Sequence, residues 1–403
     1  MPDSIPLSPR SCPPPEDSLM RQLLGRVRTI CTLAAFSGFL IFTDSVEAQK
    51  CLHPGFKVEF LFQPPEVEHP SVVACDDDGN LFIGEDPMDM RGPTTKEFDR
   101  ILRVEFNPNG TVKKKTVFCE NLAAVFGMVW HEGALYVMHA PHYSMFKDAD
   151  GDGVAEVRKD LADGFGPAAG VMGFNDHIVT GTRLGLDGLI YVSVGDKGVP
   201  KATGSDGSTI SLEGGGVIRM RPDGTQLEVY SSGTRNHLDV AMDSLDNIFT
   251  YDNTDDGLGW WTRFTHHVET GYYGYPYDYH PHADRHLPRI SEHGGGSPVG
   301  AACYRDAVWP AKYRDAVFCC EWGKRKLQLF TLKKSGASFE AVMEDFLLPE
   351  DGSEFRPQDV CFSPDVVCDR RVRCGRCRPA TGMSHTGMSE AEPAHRADLE
   401  DGS

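Results

Sequence analysis

The chain lacks an apolar run long enough to cross a bilayer, an excess of positive charge, and any sustained helical period. Its main apolar stretch, Ile30 to Phe42, is 13 residues long, whereas a spanning helix needs about 20, so no stable membrane span is expected. Lys and Arg number 40 against 59 Asp and Glu, a formal net charge of −19. Nucleic-acid grooves and anionic lipid surfaces both need clustered positive potential, so neither partner is expected. The absence of a 3.6-residue apolar period excludes a helical bundle.

What is present is turn chemistry, with 42 Gly and 27 Pro, and a short unit that recurs: a tight turn followed by an apolar, β-branched run. It occurs at Asp78-Gly79-Asn80-Leu81-Phe82-Ile83, at Glu132-Gly133-Ala134-Leu135-Tyr136-Val137 and at Asp187-Gly188-Leu189-Ile190-Tyr191-Val192. It returns at Asp246-Asn247-Ile248-Phe249 and at Arg314-Asp315-Ala316-Val317-Phe318-Cys319. Leu81, Leu135 and Leu189 stand 54 residues apart. A β-sandwich has no reason to repeat a unit at constant spacing, whereas propeller blades do. The spacing therefore predicts an all-β, six-bladed propeller over residues 52–365. A sixth unit opens at Arg356-Pro357-Gln358-Asp359-Val360-Cys361, but its second apolar strand never arrives, so the sixth blade reads as incomplete. Residues 366–403 read as a disordered or aberrant tail. Within it, Cys374-Gly375-Arg376-Cys377-Arg378 has the spacing of a haem-attachment motif with Arg378 in the histidine's place, so no haem is expected.

At the other end, Arg21, Arg26 and Arg28 precede the apolar run, and Val46-Glu47-Ala48 follows it. Residues 20–48 read as a secretory signal peptide, preceded at 1–19 by a disordered extension or a misassigned start. Export to the periplasm or the extracellular space would permit disulfides among the ten cysteines beyond Ala48. Cys75, Cys119, Cys303, Cys319, Cys320 and Cys361 lie in apolar runs that suit buried thiols, and their connectivity cannot be deduced.

Several clusters could carry chemistry. Asp148, Asp150, Asp152 and Glu156 alternate around Gly151 and Gly153, the pattern of a calcium loop or of a solvated acidic turn; Lys159 stands where an EF-hand would need Glu. Asp176-His177 precedes the third repeat and Arg235-Asn236 precedes the fourth. Equivalent loops of adjacent blades converge on one mouth, where His177 could take a proton, Asp176 could orient its ring and Arg235 could stabilise negative charge. The alternatives are a solvated loop histidine and a surface ion pair. Gly271-Tyr272-Tyr273-Gly274-Tyr275-Pro276, followed by Tyr279, His280, His282 and His286, reads as a polar aromatic wall for a planar ligand or sugar.

On these residues the chain resembles a known family. Asn175-Asp176-His177, Gly181-Thr182-Arg183-Leu184-Gly185, Gly195-Asp196-Lys197-Gly198, Gly233-Thr234-Arg235-Asn236 and Tyr273-Gly274-Tyr275-Pro276 are similar, in order, to segments of the soluble quinoprotein glucose/sorbosone dehydrogenases. The chain looks most like the planctomycete-type membrane-bound dehydrogenase propellers. The resemblance implies a propeller that holds pyrroloquinoline quinone (PQQ) and Ca²⁺ and oxidises a sugar or alcohol, with electrons passing to a separate acceptor such as a cytochrome. His177 would match the general base, Arg235 the cation facing the quinone oxygen, Asn236 a cofactor contact, and Arg356 an arginine on the quinone's carboxylates. Tyr273 and Tyr275 depart from the family's Asn and Trp, and His177 lies two residues farther from Gly181 than in the glucose enzymes. The competing expectation is a non-catalytic, Ca²⁺-stabilised propeller that binds carbohydrate or protein.

Overall fold

Each turn-and-strand unit of the sequence becomes the second strand of an antiparallel sheet. The computed structural model describes residues 49–87, 97–166, 177–253, 261–350, 355–364 and, for the backbone, 372–376. The signal segment and the extension before it lie outside these residues. A short β1 (Gln49–Cys51) comes first. Blade one is β2 (Pro70–Cys75), β3 (Leu81–Glu85), β4 (Asp99–Phe106) and β5 (Val112–Leu122). Blade two begins with β6 (Val125–His131), β7 (Ala134–His139), β8 (His142–Lys147) and β9 (Val157–Asp163). Blade three is built from β10 (Val179–Leu184) and β11 (Ile190–Val194); then a hairpin, β12 (Val199–Gly204) and β13 (Thr209–Leu212), leaves to pair with β9 of blade two. Blade three resumes with β14 (Gly215–Met220) and β15 (Glu228–Thr234). Blade four is β16 (Ala241–Met242), β17 (Ile248–Asp252), β18 (Arg263–His267) and β19 (Ser291–Glu292). Blade five is β20 (Pro298–Cys303), β21 (Val317–Glu321), β22 (Lys326–Ser335) and β23 (Ser338–Pro349), with β1 added to its outer edge. Last come β24 (Pro357–Phe362) and β25 (Val372–Arg376).

The second strands β3, β7, β11, β17 and β21 are continuous apolar runs because each is covered on both faces by neighbouring blades. Phe82, Leu135, Val192, Phe249 and Phe318 are all fully buried, and burying a side chain of this size contributes roughly 1.5–3 kcal/mol. The turns before β3 and β11 need a left-handed residue, supplied by Gly79 (φ +80°) and Gly188 (φ +78°).

Among the described residues, five sheets have four strands or more, and β24–β25 is a two-stranded sheet. The expected six blades thus appear as five plus a strand pair. β24 packs against both β2 and β20, so it stands between blade five and blade one. It shares a local signature with the innermost strands β2, β6, β10 and β20: a register shift within its first residues, the mark of a bulge. Its partner β25 falls beyond residue 365, where the sequence offers no strand pattern; backbone pairing to β24 needs none. The chain between β1 and β2 flanks this place, with Phe56 and Val58 packed on the cluster of blade five and Leu61 and Phe62 on that of blade one.

This topology gives the ring two faces. The innermost strands all begin at one face, the mouth. Links from first to second strand lie on the opposite face, and links from second to third strand return to the mouth.

Candidate active site at the propeller mouth

His177 stands two residues before β10, in a left-handed conformation (φ +58°) that is uncommon for a residue with a Cβ. Backbone bonds hold it there: its carbonyl accepts the Lys197 N–H at 3.0 Å, and the Ile178 carbonyl accepts the Gly195 N–H at 2.9 Å. Gly195 lies so close that a Cβ on it would overlap the His177 backbone. The loop after β11 therefore carries the residue beside the imidazole, and that residue is Asp196. His177 Nδ1 hydrogen-bonds Asp196 Oδ1, and the Tyr275 hydroxyl donates to Asp196 Oδ2 at 3.3 Å. Burial alone would raise the Asp196 carboxyl, but the His177 hydrogen bond and the charges of His177 and Arg235 hold it below the usual carboxylate range. His177, Asp196 and Arg235 thus share one electrostatic environment. Asp176, expected to orient His177, lies outside the described residues; Asp196 makes that contact.

Arg235 and Asn236 precede the innermost segment of blade four as His177 precedes that of blade three. Their backbone is fixed by a fully buried carboxylate at the end of β17: Asp252 Oδ2 accepts the Arg235 N–H at 3.0 Å and Asp252 Oδ1 accepts the Asn236 N–H at 2.6 Å. The Arg235 guanidinium donates to the Asn253 carbonyl at 3.1 Å. Arg263, also buried, neutralises Asp252 at 2.8 Å and donates to the carbonyls of Tyr273 and Gly233, each at 2.9 Å. The same device recurs around the ring. Glu85, at the end of β3, accepts the Glu68 N–H at 2.6 Å, and Glu321, at the end of β21, accepts the Ser297 N–H at 2.5 Å. Each acid ties down the loop that enters its own blade. Asp252 and Arg263 were not singled out from sequence, although the recurrence of an acid after an apolar second strand was a signal for Asp252.

Arg356, one residue before β24, stands three residues before Asp359 as Asn236 stands three before Asp239, the acids that make the matching contacts to Val73 and Ala301. Its guanidinium lies over the Trp322 ring at 4.3 Å and donates to the Trp322 carbonyl at 3.2 Å. Along the axis below the mouth, Arg183 pairs with Asp239 and lies 3.9 Å from Asp359. One cation cannot neutralise both acids. Burial first, then Asp359's charge, push Asp239 up to about 8 against the pull of Arg183, and burial pushes Asp359 up to about 6.

The acidic loop is elsewhere. Asp148, Asp150, Asp152 and Glu156 link β8 to β9 on the face opposite the mouth, and their oxygens lie within 4.8 Å of one another. The carboxylates already cap the loop's own backbone: Asp148 accepts the Gly151 and Gly153 N–H groups at 2.7 and 2.8 Å, and Glu156 accepts that of Ala149 at 2.7 Å. Arg103 faces Asp148 at 3.2 Å. The aromatic segment corrects its expectation in part. Tyr273 and Tyr279 are buried; Tyr279 lies under the Arg263 guanidinium at 4.3 Å, so both rings brace the core of the loop. Tyr275 is the residue of this segment whose hydroxyl reaches the His177–Asp196 pair.

Fold and mouth together define a propeller with a histidine–carboxylate pair and an arginine at the opening of its axis. The chain belongs to the family described as domain of unknown function DUF7133, whose model it matches over residues 45–367. No curated protein matches it. Among solved structures it is similar to the PQQ-bound form of an aldose sugar dehydrogenase from Streptomyces coelicolor, at 19% identity and a TM-score of 0.52, covering 77% of this chain and 88% of that one. It is similar also to the holo PQQ domain of a pyranose dehydrogenase from Coprinopsis cinerea (13%, TM-score 0.51, 81% and 94% covered). A third is the calcium structure of a family AA12 carbohydrate-active enzyme from Trichoderma reesei (10%, TM-score 0.53, 82% and 93%). At these identities the likeness is one of fold.

Proposed function

We propose that this protein is a quinoprotein-type dehydrogenase that oxidises a sugar or alcohol at the propeller mouth, with His177 as general base. The observation that carries the reading is the His177–Asp196 pair set beside Arg235. The donor set at the mouth suits an anionic quinone. Arg356 would supply positive charge for its carboxylates and Arg235 for its carbonyl oxygen. Two buried atoms there, Asn236 Oδ1 and Arg356 Nε, have no hydrogen-bond partner among the described residues, and buried polar groups are normally satisfied. PQQ, when bound, would supply the two-electron carbonyl acceptor for hydride from the carbinol carbon. His177 takes the hydroxyl proton on Nε2, the nitrogen not engaged by Asp196. Asp196 fixes the tautomer and stabilises the imidazolium that forms. Arg235 would stabilise the negative charge that hydride transfer places on the quinone oxygen.

In this reading β24–β25 is the sixth blade, the chain is exported, and electrons leave to a separate acceptor such as a cytochrome. The acidic loop binds Ca²⁺ in a structural role, because it stands on the face away from the mouth. The motifs at the mouth also resemble those of the planctomycete-type dehydrogenase propellers. Among the described residues no helix is long and apolar enough to cross a membrane.

The test is dye reduction by the purified chain supplied with PQQ and Ca²⁺ against a panel of aldoses and alcohols. A quinone-dependent rate that falls by roughly 10²–10⁴ in His177→Ala is expected. No quinone-dependent signal, or one untouched by that substitution, would overturn the assignment. The calcium-bound, non-catalytic reading then stands on the four clustered carboxylates of the loop.

A further inference from the structure

We propose that Cys75 and Cys361 are a disulfide-forming pair that covalently closes the ring between blade one and the β24–β25 sheet. Cys75 ends β2 and Cys361 lies one residue from the end of β24. Their sulfurs are 3.5 Å apart. Two residues earlier on each strand, the Val73 N–H donates to Asp359 Oδ2 at 2.9 Å. The two contacts share one offset of 286 residues, so β2 and β24 run side by side in parallel and in step. The thiols therefore meet through strand register, not through a chance approach of two loops. A disulfide needs its sulfurs at about 2.0 Å, a closure of about 1.5 Å from the observed separation. Both residues are partly exposed, so an oxidant can reach them.

The position gives the bond a purpose. Among the described residues the β24–β25 sheet has two strands where the other sheets have four or more, so the backbone pairing described for it is the least of any sheet. A cross-link here encloses the chain from blade one to the last innermost strand, and long enclosed loops gain most from such a bond. Formation proceeds by thiol–disulfide exchange with a small-molecule or protein disulfide. One cysteine thiolate attacks that disulfide and expels a thiolate; the second cysteine's thiolate then displaces the remaining half. One S–S bond forms within the chain, the oxidant's S–S bond is broken, and the two cysteine protons pass to its two thiols. The proposal does not depend on the chain being a dehydrogenase.

Peptide mapping of the full, unsubstituted chain tests this. Samples are equilibrated with oxidised glutathione or with dithiothreitol, trapped with iodoacetamide and digested without reduction. Fragmentation must place the bridge, since Cys361 shares its tryptic peptide with Cys368. We expect a Cys75–Cys361 cross-link, two hydrogens lighter than the paired thiols, in the oxidised sample alone. The oxidised chain should melt roughly 5–10 °C above the reduced one, and Cys75→Ser/Cys361→Ser should abolish that difference. Alkylation of both thiols after oxidation, a bridge from either cysteine to another residue, or equal melting of the two forms would overturn the proposal; the first two outcomes need no variant to fold.

Discussion

At the scale of single residues, His177 is held from two sides, by backbone bonds to the loop after β11 and by Asp196 at the ring. Asp196→Asn keeps the shape and removes the charge that supports an imidazolium, so quinone-dependent turnover should fall roughly 10²-fold with little change in melting temperature. Steady-state kinetics beside a thermal melt decide this; equal losses in both would make Asp196 a structural residue only. A second histidine reports on the core. His237 is fully buried beside Thr234 (3.0 Å), and burial, only partly offset by Asp252, lowers it from 6.5 to about 4. The unfolded chain therefore takes up a proton near pH 6.5 that the folded chain refuses until about pH 4. The stability from its neutral form is complete above about 6.5 and lost as pH falls toward 4, at about 1.4 kcal/mol per pH unit. Buried acids such as Asp99, pushed by burial up to about 8, run the other way, so the contrast with His237→Gln isolates the effect. Urea unfolding of both proteins at several pH values should show their stability difference shrinking across that window; parallel profiles would refute it.

At the scale of elements, the working unit is a second strand that ends in a buried acid and the loop which that acid ties down. Asp252 does this for Arg235 and Asn236 while neutralising Arg263. Asp252→Ala would leave a buried guanidinium without its charge partner, a loss of about 3–5 kcal/mol that denaturant unfolding would measure. Gly195 is the corresponding device in blade three, where β11 ends in Val194 instead of an acid. Gly195→Ala should push the His177 backbone aside and lower turnover more than stability. Turnover at the parental level would show that the loop yields without moving the ring.

At the scale of the molecule, the mouth and the acidic loop lie on opposite faces, so their functions should separate. Saturating Ca²⁺ at about a hundred times its dissociation constant adds about 2.7 kcal/mol, a rise of several degrees in melting temperature. Asp150→Asn/Asp152→Asn should remove that rise and leave the quinone-dependent rate of the Ca²⁺-supplied protein in place. A melting point indifferent to Ca²⁺ in the parent would remove the loop from the list of metal sites. The ring itself is held at its last joint by Asp359, which reaches from β24 to the Val73 N–H as Asp239 reaches from blade four to the Ala301 N–H at 3.1 Å. The two acids show that β24 joins blade one by the contact that joins blade four to blade five.

The sequence by itself determined the strands, because a strand buried on both faces must be a largely apolar run, and a turn into it needs a left-handed residue, supplied by Gly79, Gly133 and Gly188 or by Asp246 and Asp315. That reasoning reached β3, β7, β11, β17 and β21, and it reached the mouth through the equivalent positions of His177 and Arg235. It could not reach β25, whose pairing is a backbone matter, nor the transfer of the β12–β13 hairpin to blade two, which is a matter of edge availability. Only the tertiary structure brought Asp196 to His177, through a hairpin whose Gly195 lies against the His177 backbone. Only the tertiary structure brought Cys75 to Cys361 and joined Arg183 to Asp239 and Asp359. Side-chain pairing across blades depends on strand register around a closed ring, and register is fixed by packing that no local pattern encodes.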